Sequence, residues 1–238
     1  MEKNVLIIGA SGAIGRAIAT TLADDGCQLM LHYNQNKQAI EHLRNHVLPE
    51  KILLEVQADL TTTDGLTTLL DHLVFPVDAL IFASGTAYYG LFQQASSAEM
   101  DDMLHLHVKA PWLITKSILP KMIARHAGSI IFITSIWGRT GASNEVMYSS
   151  VKGAQNSFVK ALAKEVAISG VSVNAVSPGF IDTKMNNSLT EQEKEAVVEQ
   201  IPINRAGKPE EIANVVRFLL DEKSAYIQGE IIEVNGGW

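Results

Sequence analysis

Three side chains able to hold or move a proton fall within one short stretch: Ser135, Tyr148 and Lys152. It reads Ser135-Ile136-Trp137-Gly138-Arg139-Thr140-Gly141-Ala142-Ser143-Asn144-Glu145-Val146-Met147-Tyr148-Ser149-Ser150-Val151-Lys152. The apolar run Ile130 to Ile133 precedes it, a loop with two glycines follows the hydroxyl, and a helix is expected to open near Glu145. On a helix, residues four apart share a face, so Tyr148 and Lys152 stand together. An unperturbed phenol titrates near about 10. A neighbouring ammonium favours the phenolate, which predicts a lowered Tyr148. Such a phenol is a proton donor near neutral pH, with Ser135 holding a substrate oxygen beside it. Tyr-x-x-x-Lys is also a common helix pair, so the reading depends on what the rest of the chain sets beside it.

The elements that would position this trio are legible in the patterning. Val5-Leu6-Ile7-Ile8 suits a strand buried on both faces. Gly9-Ala10-Ser11-Gly12-Ala13-Ile14-Gly15 follows, then Arg16 to Ala23 at helical period. A glycine turn between strand and helix offers free N–H groups and a positive dipole end to a pyrophosphate. Gln28 to Tyr33 predicts a second strand, with His32-Tyr33-Asn34-Gln35-Asn36-Lys37 at its end and no acid before Glu41. A 2′-phosphate would meet no repulsion there, and His32 or Lys37 stands ready to assist it. NADP(H) is therefore expected over NAD(H).

Further strands are expected at Ile52–Val56, Val77–Phe82, Gly128–Thr134, Val171–Val176 and Ile231–Val234. Helices are expected at 38–47, from a Thr61-x-x-Asp64 cap, from a Ser96-x-x-Glu99 capping box towards Arg125 with Pro111 inside, from Glu145 towards Gly170, and from Pro209. His42 and His46 share a helix face but have no third ligand nearby, so a solvated face is the reading and no metal is expected. The polar segment 181–201 reads as a flap over a site. Strand and helix alternate throughout, which predicts an α/β fold: a doubly wound parallel sheet of about seven strands. Gly9, Asp59, Gly85, Ser135 and Pro178-Gly179 all fall at carboxyl ends of strands, where ligands bind in such sheets.

Composition agrees with this. The 238 residues are 47% hydrophobic and 19% charged, and one domain, 1–238, is expected. The net charge of −7 provides no global basic field for nucleic acid or anionic membrane. Cys27 is the only cysteine, so no internal disulfide forms. No apolar run approaches the ~18 residues of a spanning helix, and Val5–Ile8 is too short for a signal peptide core. A cytoplasmic location is the expectation.

With these residues placed, the chain resembles the short-chain dehydrogenase/reductase family over essentially its full length. The resemblance rests on Gly9 to Gly15, Asp59, Gly85, Ser135, Tyr148-x-x-x-Lys152 and Pro178-Gly179-Phe180-Ile181-x-Thr183. Asn174 to Gly179 and Val234-Asn235-Gly236-Gly237 look most like 3-oxoacyl-[acyl-carrier-protein] reductases. The resemblance implies hydride transfer from a nicotinamide to a substrate carbonyl. It implies that Tyr148 gives the proton, that Lys152 tunes Tyr148 and bonds the nicotinamide ribose, and that Ser135 polarises the carbonyl. It implies that Gly9, Ser11, Gly12, Ile14 and Gly15 cradle the pyrophosphate and that Asp59 and Leu60 meet the adenine. Asn34, Ser84, Gly85 and Tyr148 itself join the cofactor contacts, and Pro178, Gly179, Ile181 and Thr183 reach the nicotinamide end.

The chain departs from the family in three places. Ala13 stands at the middle glycine of the turn. Phe82-Ala83-Ser84-Gly85 replaces Asn-Asn-Ala-Gly. His107 falls at the helical asparagine that helps hold a water beside the lysine, a part His107 could keep through its backbone carbonyl. Alternative readings are a sugar, polyol or other small-alcohol dehydrogenase, and a weakly catalytic dinucleotide-binding protein. An acidic carrier protein would need local positive charge, for which Lys121, Arg125 and Arg139 are candidates. The family also implies a homotetramer built on helices near 97–126 and 146–169, with Trp112, Ile118, Phe158 and Leu162 serving the interface or the core.

Overall fold

The computed structural model describes residues 3–186 and 189–238. Among them, seven parallel strands form one sheet: β1 (Asn4–Ile8), β2 (Gln28–Tyr33), β3 (Ile52–Gln57), β4 (Ala79–Phe82), β5 (Gly128–Ile133), β6 (Val171–Pro178) and β7 (Ile231–Val234). Their order is β3-β2-β1-β4-β5-β6-β7. The order reverses between β1 and β4, which opens a crevice at their carboxyl ends. Continuous apolar runs make β1, β4 and most of β5 at the centre of the sheet, where both faces are covered.

Alternation along each strand divides the core in two. Val5 and Ile7 of β1 pack with α1 (Ala13–Asp24), α2 (Lys37–Arg44) and α9 (Pro209–Leu220). Leu6 and Ile8 pack on the other side with α3 (Thr63–Asp71), α5 (Ala110–Arg125) and α7 (Val146–Val166). The remaining helices are α4 (Ser97–Leu104), α6 (Trp137–Thr140) and α8 (Glu191–Val198).

Local signals set most helix starts. Ser96 and Glu99 close the capping box of α4, and Pro209 opens α9. The cap of α3 is Thr62, not Thr61: Thr62 accepts from the Gly65 N–H, while Thr61 bonds Asp59. Helices α1 and α2 both start earlier than periodicity indicates, because a glycine or a capping asparagine can end a loop before the first apolar residue. Pro111 lies in the first turn of α5, where its missing N–H costs nothing. Ahead of it the chain widens into a π turn, His105–Lys109.

Ile118 and Leu162 are core residues, whereas Trp112 is 49% exposed and edges against half-buried Phe158 at 6.2 Å. The polar segment past Ile181 folds as a short turn, Lys184–Asn186, and then α8, held by a Thr190–Glu193 capping box. Asn187 and Ser188 of the expected flap lie outside the described residues.

Candidate active site

The glycine turn is built against its neighbours. Gly9 has φ +87°, and a Cβ there would stand 2.6 Å from the Ser84 backbone. The second strand end supports the turn from below. His32 is 3% exposed; its Nδ1 accepts from the Gly9 N–H at 3.2 Å, so Nε2 carries the proton and donates to the Ala58 carbonyl at 3.0 Å. Burial pushes this imidazole down to about 4. A neutral, buried ring cannot meet a 2′-phosphate, so that expectation for His32 is corrected: His32 staples the turn to the end of β3. Lys37 stays at the surface, 3.8 Å from Glu41, and Asn34 is exposed.

Helix α1 then starts with no side-chain cap and no acid in its first turn. Gly12 is exposed, and a Cβ there would meet only the Gly9 carbonyl oxygen, at 3.4 Å. Ser11 and Ile14 are half-buried, Gly15 is buried, and Arg16 donates to the Ser11 carbonyl at 2.7 Å. Asp59 spends Oδ1 on Thr61, and Leu60 is buried beneath it.

The trio does converge. Ser135 follows the end of β5, Tyr148 and Lys152 lie on α7, and all three are buried. Ser135 Oγ accepts from the Trp137 N–H at 3.2 Å, and Lys152 Nζ lies 5.6 Å from the phenol ring centroid. Burial governs the charges here. It pushes Tyr148 up to about 12, opposed by the Ser135 hydroxyl and helped by the Glu145 charge. It pushes Lys152 down to about 7. The lowered Tyr148 expected from the spacing is thus reversed, because taking both groups out of water disfavours both charged forms.

His107 is fully buried. Its Nε2 meets the Thr86 carbonyl at 3.0 Å, its ring stands edge-on to Tyr148 at 5.9 Å, and Nδ1 has no partner. Its backbone carbonyl, the group expected to hold a water, accepts instead from Gln155 Nε2 at 2.8 Å. Gly85 lies against this ring, where a Cβ would sit 2.8 Å from Cε1. Ser84 and Gly85 are half-buried at the crevice. Pro178 accepts from the Ile136 N–H, Gly179 donates to Val234, Ile181 is buried, and Thr183 is half-buried beyond it.

A family model described as enoyl-(acyl carrier protein) reductase matches residues 9–238. The oxidoreductase YmfI of Bacillus subtilis, named as uncharacterized, is 48% identical over 100% of this chain and 99% of its own. The 3-oxoacyl-[acyl-carrier-protein] reductase FabG of Aquifex aeolicus is 37% identical, covering 99% and 96%. That of Staphylococcus epidermidis is 33% identical, covering 100% and 99%. The chain belongs to the short-chain dehydrogenase/reductase family. A solved structure, provisionally named as an NAD(P) dependent gluconate 5-dehydrogenase from Beutenbergia cavernae and containing NADP at low occupancy, superposes with TM-score 0.92 at 26% identity, covering 99% and 96%.

As a short-chain dehydrogenase/reductase, the protein is an oxidoreductase that binds a nicotinamide dinucleotide. The residues present fit that group: an uncapped, acid-free start of α1 over an exposed glycine suits a pyrophosphate. No helix among the described residues is long and apolar enough to cross a membrane. Two of the three cations considered for carrier docking already have acidic partners. Arg125 pairs with Asp78 at 3.3 Å and Arg139 with Glu233 at 2.6 Å, while Lys121 is exposed.

Reasoning from the sequence overlooked Gln155 and Trp137. Tyr148, Lys152 and Gln155 form one helical stripe at i, i+4 and i+7, so a polar residue on a buried face was the available signal. Trp137 packs on the Tyr148 cluster and stands edge-on to Trp238 at 5.0 Å.

The two buried histidines carry a stability prediction. Burial holds His32 down to about 4 and His107 to about 3, the latter also through Lys152. The unfolded chain therefore takes up these protons first as pH falls. The stability from two neutral rings is complete above about 6.5 and is lost as pH falls through 6.5 towards 4 and 3. At about 1.4 kcal/mol per pH unit and ring, the loss between pH 6.5 and 4.5 is several kcal/mol. Urea midpoints at the two pH values should show it, and a His32→Asn, His107→Asn double variant should flatten the slope. An unchanged slope would refute the assignment.

Proposed function

We propose that this protein is an NADPH-dependent carbonyl reductase of 3-oxoacyl thioesters, with Ser135, Tyr148 and Lys152 as its catalytic residues. The observation that carries the reading is the joint burial of Ser135, Tyr148 and Lys152, with the ammonium 5.6 Å from the phenol ring centroid, at the same sheet rim as the uncapped glycine turn. Gly9, Ser11, Gly12, Ile14 and Gly15 would hold the pyrophosphate, with Asp59, Leu60, Ser84, Gly85, Pro178, Gly179, Ile181 and Thr183 along the rest of the dinucleotide. The bound nicotinamide supplies hydride. Ser135 donates to the carbonyl oxygen and orients it. Tyr148, a neutral phenol at working pH, gives its proton to the alkoxide as charge develops there. Lys152 retains one N–H beyond those given to Ile133 and Gln155, free for a ribose hydroxyl or the phenol oxygen.

The relatives named 3-oxoacyl-[acyl-carrier-protein] reductases support the substrate class. Trp137 and Trp238 add an apolar wall beside Tyr148 that suits an acyl chain. The absence of an acid between Tyr33 and Lys37 supports NADPH. Exposed Trp112 with Phe158 on α5 and α7 supports a homotetramer built on those helices. One observation favours a polyol or small-alcohol substrate instead: a cavity of about 520 Å³ at Thr183 is lined by Asp182, Glu191, Glu195 and Glu199, with Lys194 its one cation and paired to Glu191. Such a surface offers acceptors to hydroxyl groups and repels an acidic ligand.

Consumption of NADPH and NADH across 3-oxoacyl thioesters and polyol-derived ketones tests the reading. Turnover of 3-oxoacyl thioesters with NADPH is the expected result; turnover of polyols alone, with NAD⁺, sinks it. Direction follows from Tyr148. Reduction uses the neutral phenol, so Tyr148 adds no pH dependence from pH 6 to 8, and Lys152, which burial pushes down to about 7, is the group that titrates in that window. Oxidation of the hydroxyacyl product needs the phenolate, which gains about tenfold per pH unit while pH stays below the phenol's value. A level oxidation profile from pH 7 to 10 would exclude Tyr148 as the group that titrates.

A further inference from the structure

Lys152 is 3% exposed, and its ammonium must find acceptors within the protein. One is the Ile133 carbonyl at the end of β5, at 2.9 Å. The other is Gln155 Oε1, at 3.2 Å. Gln155 lies three residues along α7 and is itself 4% exposed. Its Nε2 donates to the His107 carbonyl in the π turn, at 2.8 Å. The amide therefore joins two segments 48 residues apart in sequence. Its orientation is fixed by its partners. Exchanging oxygen and nitrogen would set an NH₂ group against an ammonium and a carbonyl against a carbonyl.

We propose that Gln155 is the positioning residue of Lys152: its amide clamps the ammonium to the π turn, favours the cation without adding charge, and occupies the carbonyl on the inner side of the lysine. The inference rests on the role given to Lys152 above. The titratable groups facing Lys152 are Tyr148 on its own helix and His107 on the π turn, while Glu145 acts on Tyr148. β5 contributes the Ile133 carbonyl. Among the described residues no carboxylate pairs with the ammonium, so the neutral amide is its one side-chain hydrogen-bond acceptor. An amide in this setting passes no proton between its ends. Proton exchange at Lys152 is thereby directed to the Tyr148 side.

The test follows Lys152 directly, by the pH titration of its ¹³Cε signal in the full-length, lysine-labelled protein without substrate, assigned with Lys152→Arg. Gln155→Leu removes the acceptor and should move the titration down by about one pH unit or more. Gln155→Glu places a carboxylate there and should move it up. Opposite displacements by two near-isosteric changes are not what a purely structural residue would give. If Gln155→Leu fails to fold, Gln155→Met supplies the same loss of acceptor with a more adaptable chain. In turnover, the downward variants should lose about tenfold or more in kcat, with the substrate KM changed less than threefold. Displacement in one common direction, or none, overturns the proposal. If the titrations move as expected but the wild-type protein reduces no carbonyl, the clamp stands and the reductase reading falls.

Discussion

Tyr148→Phe should lower carbonyl reduction by about 10³–10⁴-fold, within the range a positioned general acid contributes. The phenol is buried beside Ser135 and Lys152, and phenylalanine keeps its ring while removing the proton it would give. The ring remains, so packing against Met103, Val151 and Trp137 is kept. The melting temperature should change little, and NADPH affinity, read by fluorescence titration, should stay within roughly twofold because the glycine turn is untouched. Turnover above a tenth of the native rate in this variant would remove Tyr148 from the chemistry. Weakened NADPH binding would instead give the phenol a place in the cofactor site.

Gly9→Ala has the second largest expected effect, and it falls on binding and stability together. A side chain at φ +87° is strained, and its Cβ would stand 2.6 Å from Ser84 N and Cα, both backbone atoms that cannot swing away. The turn must move, and with it the N–H that His32 receives. Overpacking of this kind costs about 1–3 kcal/mol, which lowers the melting temperature by several degrees in a chain of this size. Dinucleotide affinity should fall by about 100-fold, equivalent to about 3 kcal/mol. Gly12→Ala separates the two effects. Its Cβ meets only the Gly9 oxygen, at ordinary contact distance, yet lies on the face proposed for the pyrophosphate. Melting should then be unchanged while affinity falls about tenfold. Equal loss of stability in both variants would place the clash, not the ligand, behind the binding defect.

The amino-acid sequence by itself determined the order of elements, the glycine turn and the pairing of Tyr148 with Lys152. Those follow from short-range rules. Apolar runs such as Val5–Ile8, short and closed by glycine, suit buried strands, Ser96 and Glu99 cap a helix within one turn, and a spacing of four on α7 fixes a shared face. Only the tertiary structure decided what the site's charges do. His32 looked like a cation for a phosphate, and burial under the glycine turn made it a neutral hydrogen-bond staple. The ammonium looked like the group that would lower the phenol, and removing both from water raised the phenol instead. The carbonyl of His107 looked free, and an amide from 48 residues further along the chain took it. Each of these depends on desolvation or on a partner remote in sequence, and neither quantity is present in the local pattern of residues.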